Sequence, residues 1–230
     1  MAVADSKGRR LDAATGIVAM ALFLVGFLLP GAPPKADDSI QKITSFYVDN
    51  RGEILAGNTL VALGGVFLLW WLGSLRSYLR AGEGGEGRLS AAAFGGGVLG
   101  VALTLGGAAI LSGTAFKVAK LGDQILNRAL FDTGGDLFAI AGVGFTVLLG
   151  AAACSSARSG ALPPWSYWLG TVAALAQLLS VAAIFASSGL FAAGGAITFI
   201  AFFATLIWVV AVSVLMIQRG GVPPVVRTEP

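Results

Sequence analysis

The sequence contains no histidine, one cysteine and few charged residues. Histidine is the commonest metal ligand in proteins and the side chain that most readily acts as a base near neutral pH. Its absence excludes a Ser-His-Asp triad and the zinc sites of metalloproteases and deaminases. Cys154 cannot form a disulfide bond within the chain and is expected to be a small packing residue. We therefore expect no cofactor and no metal site.

Charged residues are also scarce, at 12% of 230 residues, whereas hydrophobic residues make up 56%. An average soluble domain has about 25% charged residues, so this balance is typical of a membrane protein. The formal net charge is only +3, too small for a protein that must neutralise many phosphate groups. We expect the lipid bilayer to surround the chain and no nucleic acid to be its partner.

Long uncharged runs show where the chain can cross a membrane, because a transmembrane helix needs about 20 apolar residues. Four runs each suit one helix, and a fifth run of 60 residues, 159–218, is long enough for two. Ser187, Ser188 and Gly189 lie where that fifth run must turn. The sequence predicts an all-α bundle of six transmembrane helices in three hairpins. The predicted spans lie near residues 13–30, 54–76, 89–114, 137–157, 163–186 and 195–218.

An even number of spans places both termini on the same side of the membrane. Nine of the 15 Lys and Arg residues fall on that side, so the positive-inside rule makes it cytoplasmic. Residues 1–12 are thus a cytoplasmic N-terminus, residues 13–219 the membrane domain and residues 220–230 a flexible cytoplasmic tail. All five tryptophans fall in the cytoplasmic half, where we expect them to anchor the protein at the headgroup interface.

The first two outer connections are long, at about 20 residues each, and loops of this length usually carry structure or function. Residues 117–130 place their polar side chains on one side of a helix and their apolar side chains on the other. Residues 38–49 repeat this pattern less cleanly, and Asp38 and Gln41 have the spacing of a capping box. We expect two outer amphipathic helices that lie over the bundle.

The third span is rich in glycine, and Gly96 and Gly100 form a small-xxx-small pair. Such pairs allow two helices to pack closely in a membrane. The same glycines would also permit a helix to slide or hinge in an alternating-access transporter. Both interpretations are open at this stage.

Polar residues in the membrane region are few, and no ionisable residue falls in the middle of a predicted span, where such a group would usually be functional. Glu53 and Asp136 come at the predicted outer starts of the second and fourth spans. There the positive end of the helix dipole stabilises a negative charge, and capping alone would explain both. Gln177 lies near the centre of the fifth span, where its amide can bond to a neighbouring helix or contact a substrate.

The functional alternative to capping is one polar vestibule at the outer face. In it, Arg51 pairs with Asp49 or Glu53, and the remaining carboxylates receive a cation or a polar headgroup. The candidate ligand-binding residues are Tyr47, Asp49, Arg51, Glu53, Asn58, Asp136 and Gln177. No residue is a candidate for catalysis.

Two short segments carry a resemblance to known sequences. Residues 45–55 read Ser-Phe-Tyr-Val-Asp-Asn-Arg-Gly-Glu-Ile-Leu, and residues 70–76 read Trp-Trp-Leu-Gly-Ser-Leu-Arg. The region around them resembles uncharacterised bacterial multispan membrane proteins that are grouped as a domain of unknown function, over about 30 of the 230 residues. The resemblance implies a bacterial inner-membrane protein with a polar patch at the start of the second span, but no activity.

These observations favour a non-enzymatic membrane protein that binds a lipid-like or small amphiphilic ligand, or a partner protein, at its outer face. The partner protein could be another membrane protein or a second copy of the chain. The alternative is a small secondary transporter with a mobile third span, which would show saturable solute flux in vesicles. An enzyme is the third choice, since an outer-face carboxylate remains available as an acid or base.

The orientation gives a first prediction. Cysteines introduced at Ser45 and at Gly84 in a Cys154→Ala background should react with a membrane-impermeant thiol reagent from opposite sides. We expect Ser45→Cys to be labelled from outside and Gly84→Cys only after the membrane is opened. Labelling of both positions from one side would contradict the topology.

Overall fold

The computed structural model describes residues 2–220, and this part of the chain is helical and contains no strand. Two short 3-10 helices, Val118–Leu121 and Val181–Phe185, accompany seven α-helices. The α-helices are α1 (Ala2–Leu28), α2 (Ile40–Asp49), α3 (Arg51–Glu83), α4 (Arg88–Phe116), α5 (Gln124–Ser159), α6 (Pro164–Ser180) and α7 (Ala196–Gln218). Apart from Gly220, the predicted flexible tail lies outside the described residues.

Six helices are long and apolar enough to cross a bilayer, if α6 is counted together with the 3-10 helix that follows it. The exception is α2. The predicted all-α class and the six spans are confirmed, and the protein is an integral membrane protein. Some helices exceed the predicted spans: α1 already begins at Ala2, within the predicted N-terminal segment, and α3 continues to Glu83. Charged residues end an apolar run, but they do not end a helix.

Each spanning helix packs against the next one along the chain, and α7 also packs against α1. The six spans therefore form a closed ring, with α3 in contact with α5 across it. Arg9 Nε donates a hydrogen bond to the carbonyl oxygen of Gly220 at 3.2 Å. The beginning of α1 and the end of α7 thus lie at the same end of the bundle, as an even number of spans requires.

Side chains fill the interior of the ring. Trp71 of α3 and Trp208 of α7 are fully buried and meet edge to face, with ring centroids 6.1 Å apart. Toward the end of the bundle opposite the termini, which the topology prediction makes the outer end, Phe27 of α1 contacts Phe138 of α5 and Phe202 of α7, at centroid distances of 5.8 and 5.5 Å. Edge-to-face contacts of this kind stabilise a structure beyond the burial of area alone. Helices on opposite sides of the ring are therefore joined through its centre.

The tryptophans divide into two groups. Trp70, Trp165 and Trp168 are exposed, as anchoring at a headgroup interface requires. Trp71 and Trp208 are core residues instead, and Nε1 of Trp208 donates a hydrogen bond to a main-chain carbonyl of α6 at 2.9 Å. Interface anchoring is wrong for these two residues because their side chains point into the ring.

Glycines allow α4 and α5 to approach each other closely. A Cβ atom at Gly96 would lie 2.7 Å from the main-chain nitrogen of Leu148, and one at Gly100 would lie 3.1 Å from the ring of Phe145. From the opposite side, a Cβ atom at Gly144 would overlap the main chain of Gly100. The close-packing interpretation of the small-xxx-small pair is confirmed. The sequence analysis did not identify the facing glycine, Gly144.

The prediction of a separate second outer helix over residues 117–130 is wrong. Gly122 adopts a φ of +78°, and the carboxylate of Asp123 caps a new helix by accepting a hydrogen bond from the N–H of Leu126 at 2.9 Å. The expected helix is therefore interrupted in its middle. From Gln124 onward, α5 runs for 36 residues to Ser159, so its first turns are the outer extension of a spanning helix.

The first outer amphipathic helix is confirmed as α2. Its N-cap is Ser39, whose hydroxyl accepts a hydrogen bond from the N–H of Lys42 at 3.3 Å. Capping by Asp38 is wrong, because the carboxylate of that residue has other partners. Ile43 and Tyr47 are buried on one face of α2. This face lies over the outer ends of the spans.

The glycine contact between α4 and α5 yields a stability prediction. We expect Gly144→Ala to lower the free energy of unfolding by about 1–3 kcal/mol, because the added methyl group forces two main chains apart. The matched control is Gly150→Ala on the same helix, where a Cβ atom would meet nothing within 4 Å. Thermal unfolding in detergent would measure both. Equal melting temperatures for the two variants would contradict the close contact.

The structure also improves the labelling experiment. Gly84 has a φ of +68°, so a cysteine there would strain the connection between α3 and α4. The side chain of Glu86 in the same connection is 75% exposed. Glu86→Cys is therefore the better position for labelling the end of the bundle that carries the termini. Cys154 is exposed on α5, so the expectation that it packs within the protein is wrong, and the Cys154→Ala background is needed.

Candidate outer-face binding site

The connection between α1 and α2 is organised by one carboxylate. Asp38 Oδ2 accepts a hydrogen bond from the N–H of Lys35 at 2.7 Å, and Asp38 Oδ1 accepts one from Lys42 Nζ at 2.8 Å. The hydrogen bond from Lys42, followed by the one from Lys35, holds the pKa of the Asp38 carboxyl below its ordinary value. Asp38 therefore fixes the loop to the first turn of α2 and stays ionised at neutral pH.

Arg128, on the outer extension of α5, ties the same loop to the bundle. Its Nη2 donates a hydrogen bond to the carbonyl oxygen of Ala36 at 2.6 Å, and its Nη1 donates to the carbonyl oxygen of Asp38 at 3.4 Å. Its Nε is paired with Asp132 at 2.8 Å, one turn further along α5. The planar guanidinium suits this role because it directs several donors at once.

An apolar cluster lies beneath α2. Its buried members are Ile43, Tyr47, Ile54, Ala115 and Ala119, contributed by α2, α3, α4 and the 3-10 helix that follows α4. The Tyr47 ring also meets a phenylalanine of α5 edge to face, with centroids 6.4 Å apart. This cluster seats α2 on the ends of the spans.

Two polar side chains, Asn127 and Tyr47, are buried beneath α2. Asn127 is fully buried and donates a hydrogen bond to Thr44 at 3.3 Å, but its Oδ1 accepts none among the described residues. Tyr47 is 2% exposed, and its burial raises the pKa of its hydroxyl well above the ordinary range. Tyr47 was predicted to bind a ligand. In the structure its side chain is packed beneath α2.

An open groove of about 440 Å³ lies beside α2, at the side of the α1–α2 connection. Its apolar wall consists of Ala32, Pro33, Pro34 and Phe46, and its polar edge consists of Lys35, Asp38 and Lys42. Ligand pockets in proteins typically measure about 300–1,000 Å³. The groove can therefore receive a polar headgroup together with the beginning of an apolar chain.

The predicted pairing of Arg51 is wrong. Its Nε donates a hydrogen bond to the carbonyl oxygen of Phe116 at 3.3 Å, and its guanidinium lies 5.1 Å from the centre of the Phe116 ring. Within residues 2–220, no ion pair joins Arg51 to Asp49 or Glu53. Glu53 does lie in the first turn of α3, as predicted, and both carboxylates are exposed.

Asn58 and Gln177 join neighbouring helices. Asn58 Nδ2 donates a hydrogen bond to Ser112 Oγ at 2.9 Å, between α3 and α4. Gln177 Nε2 donates to Thr205 Oγ1 at 2.9 Å and to the carbonyl oxygen of Ala201 at 3.2 Å, between α6 and α7. Both amides therefore make structural hydrogen bonds between helices, and Gln177 is buried within the ring.

Asp136 lies further from the outer end of α5 than its sequence position indicated. It is twelve residues from the start of α5 at Gln124, and the neighbouring Gly134 packs against Gly107 of α4. The ten residues from Gly107 to Lys117, the first charge at the outer end of α4, correspond to about 15 Å of helix. Asp136 therefore lies well below the level of Lys117, at the start of the uncharged residues 137–157 of α5.

The single vestibule does not form. Arg51 contacts Phe116, so the start of α3 lies at the outer end of α4, whereas Asp136 lies much deeper beside the same helix. Glu53 and Asp136 are thus about three turns apart along the axis of α4. The capping role of Asp136 is also wrong, because α5 begins long before it.

The groove residues were missed as a binding site, although a signal for part of the groove was present. Asp38 and Lys42 have the i,i+4 spacing of a helical ion pair, and Asp38 comes four residues after a Pro-Pro pair. That spacing could have located the polar edge of the groove. The contact of Arg128 with the loop could not have been found in this way, because the two carbonyl groups that it binds precede it by about 90 residues.

The fold and the outer site define a class of protein: a six-span helical membrane protein with a structured outer cap. Comparisons with protein-family models, curated proteins and solved structures find no match to this chain. The argument for function therefore depends on the outer site itself.

The role of Arg128 can be tested by hydrogen exchange. We expect Arg128→Lys to increase the exchange rates of main-chain amides in residues 35–39 about tenfold. Lysine keeps the charge but cannot bind Asp132 and two carbonyl groups at once, and a hydrogen bond to a charged group contributes about 1.5–3 kcal/mol. Lys120→Gln, at an exposed position of the neighbouring 3-10 helix, is the control. Unchanged exchange in Arg128→Lys would show that the clamp does not hold the loop.

Proposed function

We propose that this integral membrane protein binds a small amphiphilic, lipid-like ligand with an anionic headgroup in the groove beside α2. The observation that carries the proposal is the pairing of an apolar wall with two lysines in one open groove. Phe46 and the adjacent prolines would contact the apolar part of the ligand. Lys35 and Lys42 would contact its headgroup.

The charges at the groove favour an anionic headgroup over a cationic or neutral one. The Lys35 ammonium has no bonding partner in the described part of the chain, so it is available to a ligand. Lys42 is engaged by Asp38, and its side chain is 63% exposed. A headgroup phosphate or carboxylate would bind Lys35 directly and compete with Asp38 for Lys42.

The location supports a lipid-like ligand in particular. The groove opens where α1 leaves its span and α2 begins, close to the level at which the headgroups of the outer leaflet lie. A ligand could therefore enter from the bilayer while its headgroup stays in water. By the positive-inside argument, this face is the extracytoplasmic one, and the resemblance to bacterial multispan proteins would make the membrane a bacterial inner membrane.

The transporter alternative has less support. A moving α4 would have to separate Gly96 and Gly100 from α5, where main chains and side chains are in close contact. Bulky substitutions at these glycines do not test transport, because they disturb packing directly. Saturable solute flux in sealed vesicles would be the evidence for this second candidate.

The binding proposal predicts opposite effects for the charges of the groove. We expect Lys35→Gln and Lys42→Gln each to weaken the binding of dioleoyl phosphatidylglycerol about tenfold, by loss of one charged contact. Asp38→Asn should strengthen binding, because it frees Lys42 and removes a negative charge. Lys120→Gln, outside the groove, should have no effect. Native mass spectrometry of protein in mixed phosphatidylglycerol and phosphatidylcholine would measure the lipid retained by each variant.

Two results would contradict the proposal. One is equal retention of phosphatidylglycerol and phosphatidylcholine by the unmodified protein. The other is a preference for phosphatidylglycerol that survives both lysine substitutions. Either result would remove the groove as the site of anionic ligand binding.

A further inference from the structure

A crevice between α3 and α4 opens at the end of the bundle that carries the termini. Two rows of residues with helical spacing line it: Leu69, Gly73, Arg76 and Arg80 from α3, and Ala91, Phe94 and Val98 from α4. The two rows face each other, because the Arg76 guanidinium lies 5.7 Å from the centre of the Phe94 ring. One turn further along α3, the stem of Arg80 lies beside Gly87, where a Cβ atom would be 3.0 Å from Arg80 Cγ.

The walls of the crevice are apolar and leave it open. A Cβ atom at Gly73 would meet nothing within 4 Å, and Ala91 is small and exposed. Leu69 is 39% exposed, and Phe94 is half-buried. An apolar chain can therefore lie between the two helices and contact both of them.

The two arginines lie at the edge of the spanning part of α3. Residues 54–75 are uncharged and correspond to about 33 Å of helix, which is enough to cross a hydrocarbon core of about 30 Å. Arg76 follows this run directly, and Arg80 comes one turn later. Long arginine side chains extend toward the headgroups from such positions. Both guanidinium groups are therefore within reach of lipid phosphates.

The positive charge of the crevice has no counterpart in the described part of the chain. The carboxylate of Glu83 caps α4, since it accepts hydrogen bonds from the N–H groups of Leu89 and Ser90 at 2.9 and 3.0 Å. Glu86 is paired with Arg88 at 2.8 Å. The two acids nearest in sequence are thus engaged elsewhere, and neither arginine of the crevice forms an ion pair or a hydrogen bond with a described residue.

Two arginines one turn apart favour a ligand with two phosphate groups. A guanidinium binds a phosphate through parallel hydrogen bonds. Side chains four residues apart on a helix start about 5–6 Å from each other, so each arginine can bind its own phosphate. In a phospholipid of the cardiolipin type, a single glycerol joins two phosphates and keeps them about one helical turn apart. Phosphatidylglycerol has one phosphate and would leave one guanidinium unpaired.

We propose that this crevice binds a phospholipid with two phosphate groups. Arg76 and Arg80 each bind one phosphate, the Phe94 ring orients Arg76 by a cation–π contact, and one acyl chain lies along the apolar walls past Gly73. Basic pockets between helices at the cytoplasmic side are typical sites for such headgroups, and the topology prediction makes this end cytoplasmic. The site lies at the opposite end of the bundle from α2 and does not depend on the groove there.

The experiment measures lipid retention by native mass spectrometry, with the full chain in phosphatidylcholine that contains equal small amounts of tetraoleoyl cardiolipin and phosphatidylglycerol. The Lys35→Gln/Lys42→Gln variant serves as the background, so that the groove beside α2 does not contribute its lysines. In this background we expect cardiolipin to be retained about tenfold more than phosphatidylglycerol, by one additional charged contact. Adding Arg76→Gln or Arg80→Gln should remove this preference. Arg88→Gln, at the same end but paired with Glu86, should preserve it.

A second variant tests the apolar part of the crevice without a change of charge. Gly73→Leu fills open space, so we expect the fold to persist and cardiolipin retention to fall about fivefold, because a few methylene groups of the chain are displaced. Gly150→Leu on α5, where a Cβ atom also meets nothing within 4 Å, is the matched control and should have no effect.

Three outcomes would overturn the proposal. The first is equal retention of cardiolipin and phosphatidylglycerol in the lysine-free background. The second is an unchanged cardiolipin preference after both arginines of the crevice are replaced by glutamine. The third is equal cardiolipin retention by Gly73→Leu and Gly150→Leu. None of these results depends on whether Lys35 and Lys42 bind a ligand, so the two proposals can fail separately.

Discussion

The close approach of α4 and α5 determines where the outer end of α5 lies. Gly144 faces Gly100, and Gly134 faces Gly107, so little more than main chain separates the helices at two levels. Contacts between main chains leave no side chain that could adjust to a shift of one helix along the other. The register of α5 against α4 is therefore well defined, and the first turns of α5 extend beyond the membrane-spanning part of the bundle.

The outer cap depends on this extension. It brings Arg128 to the carbonyl groups of the α1–α2 connection and places Asn127 beneath α2. Once the connection is held, Lys35 and Lys42 lie on one side of a groove whose other side is apolar. The same register sets the level of Asp136 relative to α4. The groove proposed for function thus follows from one helix contact.

The candidate site was only partly predictable. Glu53 was correctly placed at a helix start, and the amide of Gln177 was expected to bond to a neighbouring helix, because both statements depend on local position. The prediction of a single vestibule was wrong because it required Glu53 and Asp136 to lie at the same level of the bundle. That condition depends on helix register, which no local pattern contains. Arg128 lies on the polar side predicted for residues 117–130, but the carbonyl groups that it binds are distant in sequence.

What the sequence by itself determined is the class of protein, the number of spans and the amphipathic helix α2. The thickness of a bilayer sets the length of an apolar helix, and one face of α2 is apolar, so both properties are local. The tertiary structure alone decided which tryptophans are buried, where α5 begins and at which level of α4 Asp136 lies. A helix does not end at its first charged residue, and its depth is set by contacts with helices that are remote in the chain.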